Sequence, residues 1–171
     1  MKSENSIRLY SVGFDEIRSY ILAFAFCIGN IVLPQIAHYF PHGGQIWLPI
    51  YFFTLIGAYK YGWKVGLLTA VASPMVNSLL FGMPAVAMLP AIFMKSILLA
   101  VFAGLSARKF GKASLWMIAL VVISYQVVGS LGEWMLKGDF YLAIQDFRIG
   151  IPGMIMQILG GWAIINHVIR K

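Results

Sequence analysis

Charged side chains are scarce in this chain. Asp, Glu, Lys and Arg make up 11% of its 171 residues, whereas an average soluble domain carries about 25%. Hydrophobic residues reach 60%, and the mean hydropathy is +0.82. So few charges cannot cover the surface of a domain folded in water, and so apolar a chain does not remain disordered. The composition therefore excludes both classes and indicates a membrane protein that crosses the bilayer several times.

Cysteine and catalytic motifs are also scarce. The one cysteine, Cys27, excludes an intrachain disulfide scaffold, and it lies in an apolar run that favours a packing role. His38 and His42 have a spacing compatible with metal binding, but Pro41 breaks the helix between them and His167 falls on the other side of the membrane. Walker A, HExxH and GxSxG sequences are absent. We therefore predict no metal site and no catalytic residues, and a membrane enzyme is the least favoured class.

Apolar runs separated by glycine and proline predict an all-α protein with six transmembrane helices. They cover residues 19–40, 46–59, 65–81, 86–107, 114–136 and 149–169, and the second is short. A crossing takes roughly 20 residues, so six crossings use most of the chain and leave no room for a soluble domain. We therefore treat residues 1–171 as one membrane domain. Residues 1–18 lack the apolar core of a signal peptide and are interpreted as an interfacial lead-in.

Lysine and arginine are distributed unevenly between the two sides of this predicted topology. With the N-terminus in the cytoplasm, Lys137 and Arg148 lie in outer loops, and Lys95 lies inside a helix. Because cytoplasmic loops are enriched in these residues, both termini are predicted to be cytoplasmic. The same bias explains the net charge of +7 without a nucleic-acid partner. The other ten basic residues lie on the inner side: Lys2, Arg8, Arg18, Lys60, Lys64, Arg108, Lys109, Lys112, Arg170 and Lys171.

Lys95 is the most informative of these charges. It lies about nine residues into the fourth predicted helix, or roughly 13 Å at 1.5 Å per residue, which is near the middle of the membrane. An ionisable residue at that depth is costly and favours a functional role. Two interpretations stay open. Lys95 either faces a cavity and pairs with an anionic group of a substrate, or forms a structural ion pair with Glu133.

Other polar residues occupy the outer halves of predicted helices three to six. Gln126, Ser130 and Glu133 share one helix face, where interhelical hydrogen bonding is the alternative to ligand binding. The inner halves are nearly all apolar, which predicts a pocket open to the outside and closed toward the cytoplasm rather than a channel. Asn30 and Gln35 in the first helix favour helix packing. The remaining candidates for the pocket are Asn77, Trp134 and Gln157 in helices, and Gln45 and Trp47 in the first outer loop.

The segment from Pro41 to Lys109 resembles the substrate-binding S components of energy-coupling factor vitamin transporters. The resemblance is carried by HGGQIWLP at 42–49, GAYKYGWKVG at 57–66, SP at 73–74 and FGMP at 81–84. Six helices in a chain of this length, with both termini inside, are also the layout of that family. The resemblance implies a binding subunit in a bacterial cytoplasmic membrane.

This family resemblance implies a high-affinity site on the outer side for a small vitamin-like molecule. Members often carry an acidic residue in the fourth helix, whereas Lys95 lies in that region here, which suggests an anionic group on the substrate. The expected substrate-binding residues are Lys95, Gln126, Glu133, Trp134, Gln157, Asn77, Gln45 and Trp47.

The resemblance also implies partners. Members work with one transmembrane scaffold subunit and two ATPases, so this chain itself would need no cofactor and the ATP would be used by the ATPases. S components dock through small residues of the first helix, which here would be Ser19, Ala23 and Cys27. Packing within the chain's own bundle is the alternative for these three. A standalone small-solute carrier or channel-like protein is the alternative function.

Overall fold

The computed structural model describes residues 9–169, and this part of the chain is helical and contains no strand. Lys2, Arg8, Arg170 and Lys171, four of the charges assigned above to the inner side, lie outside the described residues. The helices are α1 (Ile17–Ala37), α2 (Gly43–Trp47), α3 (Phe52–Tyr61), α4 (Trp63–Phe81), α5 (Leu89–Phe110), α6 (Leu115–Lys137), α7 (Phe140–Ala143), α8 (Gln145–Arg148) and α9 (Ile151–Ala163). Short 3₁₀ turns cover Pro49–Tyr51 and Val86–Met88, and a π turn, Ile164–Val168, extends α9.

The chain is an all-α protein with the character of a multi-pass membrane protein. Among the described residues, five segments are long and apolar enough to cross a bilayer. Their outer faces carry large exposed apolar side chains, such as Ile21 and Phe24 on α1, which suit contact with lipid. The five segments are Ile17–Ala37, Trp63–Phe81, Val86–Phe110, Leu115–Lys137 and Ile151–Val168.

The predicted second helix, over residues 46–59, is interrupted. The structure divides this region into α2, a 3₁₀ turn and α3, with Leu48 between them at φ +46°. The physical reason is Pro49, because a proline disfavours the right-handed helical conformation of the residue before it. At ten residues α3 is about 15 Å long, and it is not among the segments that can cross a membrane alone.

The other predicted helices are recovered with shifted ends. The first ends at Ala37 rather than at residue 40, because the chain turns before Pro41. The fourth begins with the 3₁₀ turn and continues to Phe110, and the fifth is displaced by one residue at each end. The third begins two residues earlier than predicted, and the sixth begins at Ile151 and ends in the π turn at Val168. The connection after α6 contains the short helices α7 and α8.

The loops gather at two ends of the bundle. We call the end formed by residues 38–51, 82–88 and 138–150 the site end, and the other the opposite end. At the opposite end, the backbone N–H of Tyr10 donates to Lys60 O at 2.8 Å, and Asn166 Nδ2 donates to Ala113 O at 3.0 Å. Lys60 is buried there with its Nζ 5.5 Å from the ring centroid of Tyr10, so this lysine is a packed residue rather than a loop charge.

The bundle is closed toward the opposite end. The short helix α3 lies at its centre, and Leu55, Ile56 and Ala58 have no exposed surface. The hydroxyl of Tyr59 donates to Lys112 O at 2.9 Å, which joins α3 to the loop between α5 and α6 at the opposite end. The same core cluster continues through the small and branched side chains of Ala103, Ala107, Ile118 and Ile165. In the described part of the bundle, the region toward the opposite end is therefore packed mostly by apolar side chains.

The face of α1 that was expected to dock on a scaffold is turned inward. Ser19, Ala23 and Cys27 are all buried, and the Ser19 hydroxyl donates to Gly13 O. Ala23 packs with Val12 and Val65 in a small apolar cluster. Their four-residue spacing places them on the stripe that faces the bundle. The three residues therefore pack against their own chain, and none of them offers an exposed surface for docking on a scaffold.

Candidate functional site

Lys95 belongs to a cluster of four charged side chains at the site end, which we call the ion cluster. Its Nζ lies 2.7 Å from Glu133 Oε2 and 2.9 Å from Asp146 Oδ2. The other oxygen of Glu133 lies 2.9 Å from Lys137 Nζ. The side chains of Lys95, Glu133 and Asp146 are 5%, 10% and 13% exposed. Two positive and two negative charges thus balance in a largely buried site.

The helices α5 and α6 position three members of the ion cluster, Lys95, Glu133 and Lys137. A Cβ added at Gly129 would lie 2.6 Å from Lys95 Cγ, so the aliphatic part of the lysine passes directly over the bare backbone of this glycine. Glu133 and Lys137 follow Gly129 at four-residue intervals and share its helix face. The glycine therefore lets the ammonium group reach the carboxylate one turn further along α6.

The connection after α6 positions the fourth member, Asp146. Gly138 ends the helix at φ +70°, a left-handed conformation that glycine adopts without strain. Asp139 Oδ1 then accepts from Leu142 N at 3.0 Å and caps α7. The chain continues into α8, which carries Asp146 back to Lys95, 51 residues away in sequence. The short helices α7 and α8 therefore close the site end over the ion cluster.

Two adjoining cavities open at the site end. The smaller, about 110 Å³, is lined by all four charged residues of the ion cluster, with Tyr51 and Leu142 among its other walls. The larger, about 730 Å³, lies between residues 38–45 and 82–88 and reaches Asn77. Together they combine a charged end with a wider, mostly apolar chamber. The residues that line both cavities are Gly44, Gln45, Ile50, Met88 and Ile92.

Gln126 and Gln157 meet in the interior of the bundle. The hydroxyl of Tyr125 accepts from Gln126 Nε2 at 3.0 Å and donates to Gln157 Oε1 at 2.9 Å. Neither glutamine lines the two cavities. Among the described residues, Gln126 Oε1, Gln157 Nε2 and Ser130 Oγ have no hydrogen-bond partner, which is unusual for buried polar atoms. The role of Gln126 and Gln157 as ligand contacts stays a prediction.

Asn77 joins two helices and also belongs to the lining of the larger cavity. Its Nδ2 donates to Asn30 O at 2.9 Å and to Ser73 O at 3.0 Å, which ties α4 to α1. Its Oδ1 has no partner among the described residues, and the residue lines the larger cavity. Asn30 packs between helices as predicted, with hydrogen bonds to Thr54 and Ser73.

The two predicted tryptophans lie beside the cavities rather than in their walls. Trp47 is 40% exposed, and its backbone packs against Gly153, where an added Cβ would lie 2.4 Å from Trp47 C. Trp134 is 45% exposed, with its ring centroid 5.3 Å from that of Phe140 on α7. Trp47 therefore holds α2 against α9, and Trp134 holds the connection after α6.

The structure brings together only part of the predicted set. Lys95, Glu133 and Gln45 line the smaller cavity, and Gln45 and Asn77 line the larger. Sequence reasoning missed Asp146 and Lys137 as partners in the ion cluster. The one available signal was the presence of acidic residues in the loop that follows the helix of Glu133. That signal does not specify which carboxylate reaches Lys95.

The site suits recognition of a small polar molecule. A balanced group of charges at one side of an apolar chamber orients the charged or hydrogen-bonding part of a ligand, while the chamber holds its apolar part. Comparison of the chain with protein-family models, with curated proteins and with solved structures finds no match.

Proposed function

We propose that this chain is the substrate-binding membrane subunit of an importer of the energy-coupling factor type. It captures a small vitamin-like molecule with an anionic group at the site end, on the outer side of a bacterial cytoplasmic membrane. One scaffold subunit and two ATPases then drive delivery to the cytoplasm, and the ATP is hydrolysed by those partners. The sequence resemblance between residues 41 and 109 supports this proposal.

One structural observation supports it most. The four charged side chains of the ion cluster line the smaller of two adjoining cavities at the site end, while mostly apolar packing closes the opposite end. A binding subunit needs a pocket with a single opening, whereas a channel needs a polar or small-residue lining over its whole length. Intramembrane ionisable residues also favour a functional site.

The proposed topology has six crossings and cytoplasmic termini. Besides the five long segments, the remaining crossing, second in chain order, is α3 with the preceding 3₁₀ turn, from Pro49 to Tyr61. Its short length is tolerable because nearly all of α3 is buried in protein, where backbone at membrane depth is shielded from lipid. Of the described basic side chains outside the helix centres, Arg18, Lys64, Arg108, Lys109 and Lys112 lie toward the opposite end, which supports a cytoplasmic position for that end.

Docking on the scaffold then uses a different face of α1. Ser19, Ala23 and Cys27 are covered by the chain itself, whereas Ala25 lies on an exposed stripe with Ile21, Phe24 and Ile28. A small residue among large apolar ones permits close approach of a partner helix. We therefore place the scaffold contact on the stripe around Ala25.

The first experiment is native mass spectrometry of the chain purified in mild detergent from cells grown in rich medium. We expect one small molecule bound per chain, lost after Lys95→Met. The matched control is Lys64→Met, because Lys64 lies at the opposite end with its Nζ 5.1 Å from the Phe14 ring centroid. No bound molecule in the unmodified chain, or equal loss in both variants, would contradict the proposed site.

The second experiment separates the proposal from a standalone carrier. Uptake of the molecule identified in this way is measured in cells that express the chain with or without a scaffold subunit and two ATPases. We expect uptake only with the full set of partners and only when the ATPases are active. Uptake by the chain alone would support the standalone carrier instead.

A further inference from the structure

The charges of the ion cluster come from two kinds of structural element. Lys95, Glu133 and Lys137 project from the long helices α5 and α6, and together they carry a net charge of +1. Asp146 projects from α8, a helix of four residues in the connection between α6 and α9. The cluster is neutral only while α8 is in place. The three residues on the long helices therefore need one more negative charge for neutrality, and Asp146 supplies it in this conformation.

Asp146 is the member of the cluster that is easiest to remove. Glu133 pairs through both oxygens, with Lys95 on one side and Lys137 on the other, and it belongs to a long helix packed in the bundle. Asp146 pairs with Lys95 through Oδ2 and belongs to a short segment at the surface of the site end. Moving Glu133 would leave Lys137 without a carboxylate, whereas moving Asp146 leaves both lysines paired with Glu133.

The cavities leave space for an exchange at this position. The smaller cavity, which contains the ion cluster, holds about 110 Å³ and is too small for a vitamin-sized molecule. It adjoins the chamber of about 730 Å³, with Ile50, Met88 and Ile92 in the walls of both. A ligand in the chamber reaches Lys95 through the smaller cavity, which widens if α8 withdraws.

We propose that Asp146 is a resident counter-ion, and that one anionic group of the ligand replaces it on Lys95. The inference rests on the proposed binding function, and it specifies the ligand class as one with a single carboxylate-like or phosphate-like charge at the end that enters the smaller cavity. An anion that binds without displacing Asp146 would leave the cluster with excess negative charge. A neutral ligand would not displace Asp146, because it cannot replace the negative charge beside Lys95. Binding of the anion therefore releases α8 from α5.

The test compares two probes of nearly the same shape, benzoate and benzamide, which differ in charge. The shift in melting temperature of the full chain in detergent is measured with each probe, and the readout is the apparent affinity of benzoate relative to benzamide. If Asp146 occupies Lys95 in about nine molecules of ten, removing it raises the apparent affinity for the anion about tenfold. We therefore expect Asp146→Asn to increase the preference for benzoate about tenfold. An unchanged or reduced preference, including no binding of either probe, would overturn the inference.

Two controls keep the result interpretable. Asp139→Asn removes the other carboxylate of the same connection, which caps α7 without contacting Lys95, and it should leave the preference unchanged. If Asp146→Asn does not fold, the double variant Lys95→Met/Asp146→Asn is used, because its remaining charges, Glu133 and Lys137, balance. The unmodified chain should then prefer benzoate and the double variant should not; equal preferences would overturn the inference.

The two proposals fail separately. If a small molecule co-purifies and is transported but Asp146→Asn does not change the benzoate preference, only the exchange is wrong. If the chain transports alone while the preference changes as expected, the exchange stands and the energy-coupling assignment is wrong.

Discussion

Two buried polar clusters connect the helices of this apolar bundle in different ways. The first joins α1, α3 and α4 through Asn30. Its Nδ2 donates to Thr54 Oγ1 at 3.0 Å and to Ser73 Oγ at 3.2 Å, and its Oδ1 accepts from Phe53 N at 3.0 Å. Every member of this cluster is neutral and lies on a helix of the bundle.

The ion cluster differs in charge and in where its members come from. It joins α5 and α6 through Lys95 and Glu133, but it reaches neutrality only with Asp146 from the surface connection. Neutral interhelical hydrogen bonds contribute about 0.6 kcal/mol each and serve packing. Buried charges are costly, so a cluster whose balance depends on a short surface helix is poorly suited to packing alone. Burial by itself therefore does not separate structural from functional polar residues. We base the proposed binding role of the ion cluster on the surface helix that supplies Asp146.

The largest expected effect is at Lys95. Lys95→Met leaves Asp146 without its cation, and breaking a buried pair in this way should lower the free energy of unfolding by about 3 kcal/mol. The cost stays at the low end of that range because Glu133 keeps Lys137 and Asp146 lies on a surface segment. SDS titration in mixed micelles, followed by circular dichroism, measures the change.

The matched variant is Lys137→Met, which is also in the ion cluster but leaves Lys95 with both carboxylates. It should cost clearly less, because the Lys137 side chain is 23% exposed. Equal costs for the two variants would show that the cluster does not depend on the central lysine.

A smaller effect on stability, without an effect on binding, is expected at Asn30. Asn30→Ala removes three side-chain hydrogen bonds and leaves Phe53 N without its acceptor, which should cost about 2 kcal/mol. Ser73→Ala removes one of those partners and should cost less. Because this cluster is structural in our interpretation, native mass spectrometry should still detect the co-purified molecule. Loss of that molecule from folded Asn30→Ala would contradict the distinction between the clusters.

Much of the fold follows from patterns within single segments. Apolar runs predict the long helices because each needs only its own length and composition to be compatible with a bilayer. The prediction of one helix over residues 46–59 is wrong, although Pro49 carries the signal for its division. The sequence does not determine whether Ser19 and Cys27 face inward, because small residues at four-residue spacing suit both docking and self-packing. Only the packing of α1 on its neighbours distinguishes these.

The candidate site was predicted less completely, because it depends on contacts between segments. Lys95 stands out as a charge inside an apolar helix, and the sequence also offers Glu133 on the next long helix as its ion-pair partner. Asp146 lies in a connection whose path is set by the turn at Gly138 and the cap at Asp139, so its return to Lys95 cannot be obtained from periodicity. For the same reason, the sequence does not distinguish a free cation from a compensated one.

The smallest effect on stability is expected at Gln45, which lines both cavities on the short helix α2. Gln45→Ala should change the free energy of unfolding by no more than about 0.5 kcal/mol. If its amide contacts the ligand, losing one hydrogen bond should weaken binding of the co-purified molecule by about tenfold. Gln145→Ala is the matched control, because Gln145 lines only the smaller cavity. A ligand whose body lies in the larger chamber should be more sensitive to Gln45 than to Gln145, whereas equal or greater sensitivity to Gln145 would contradict that position.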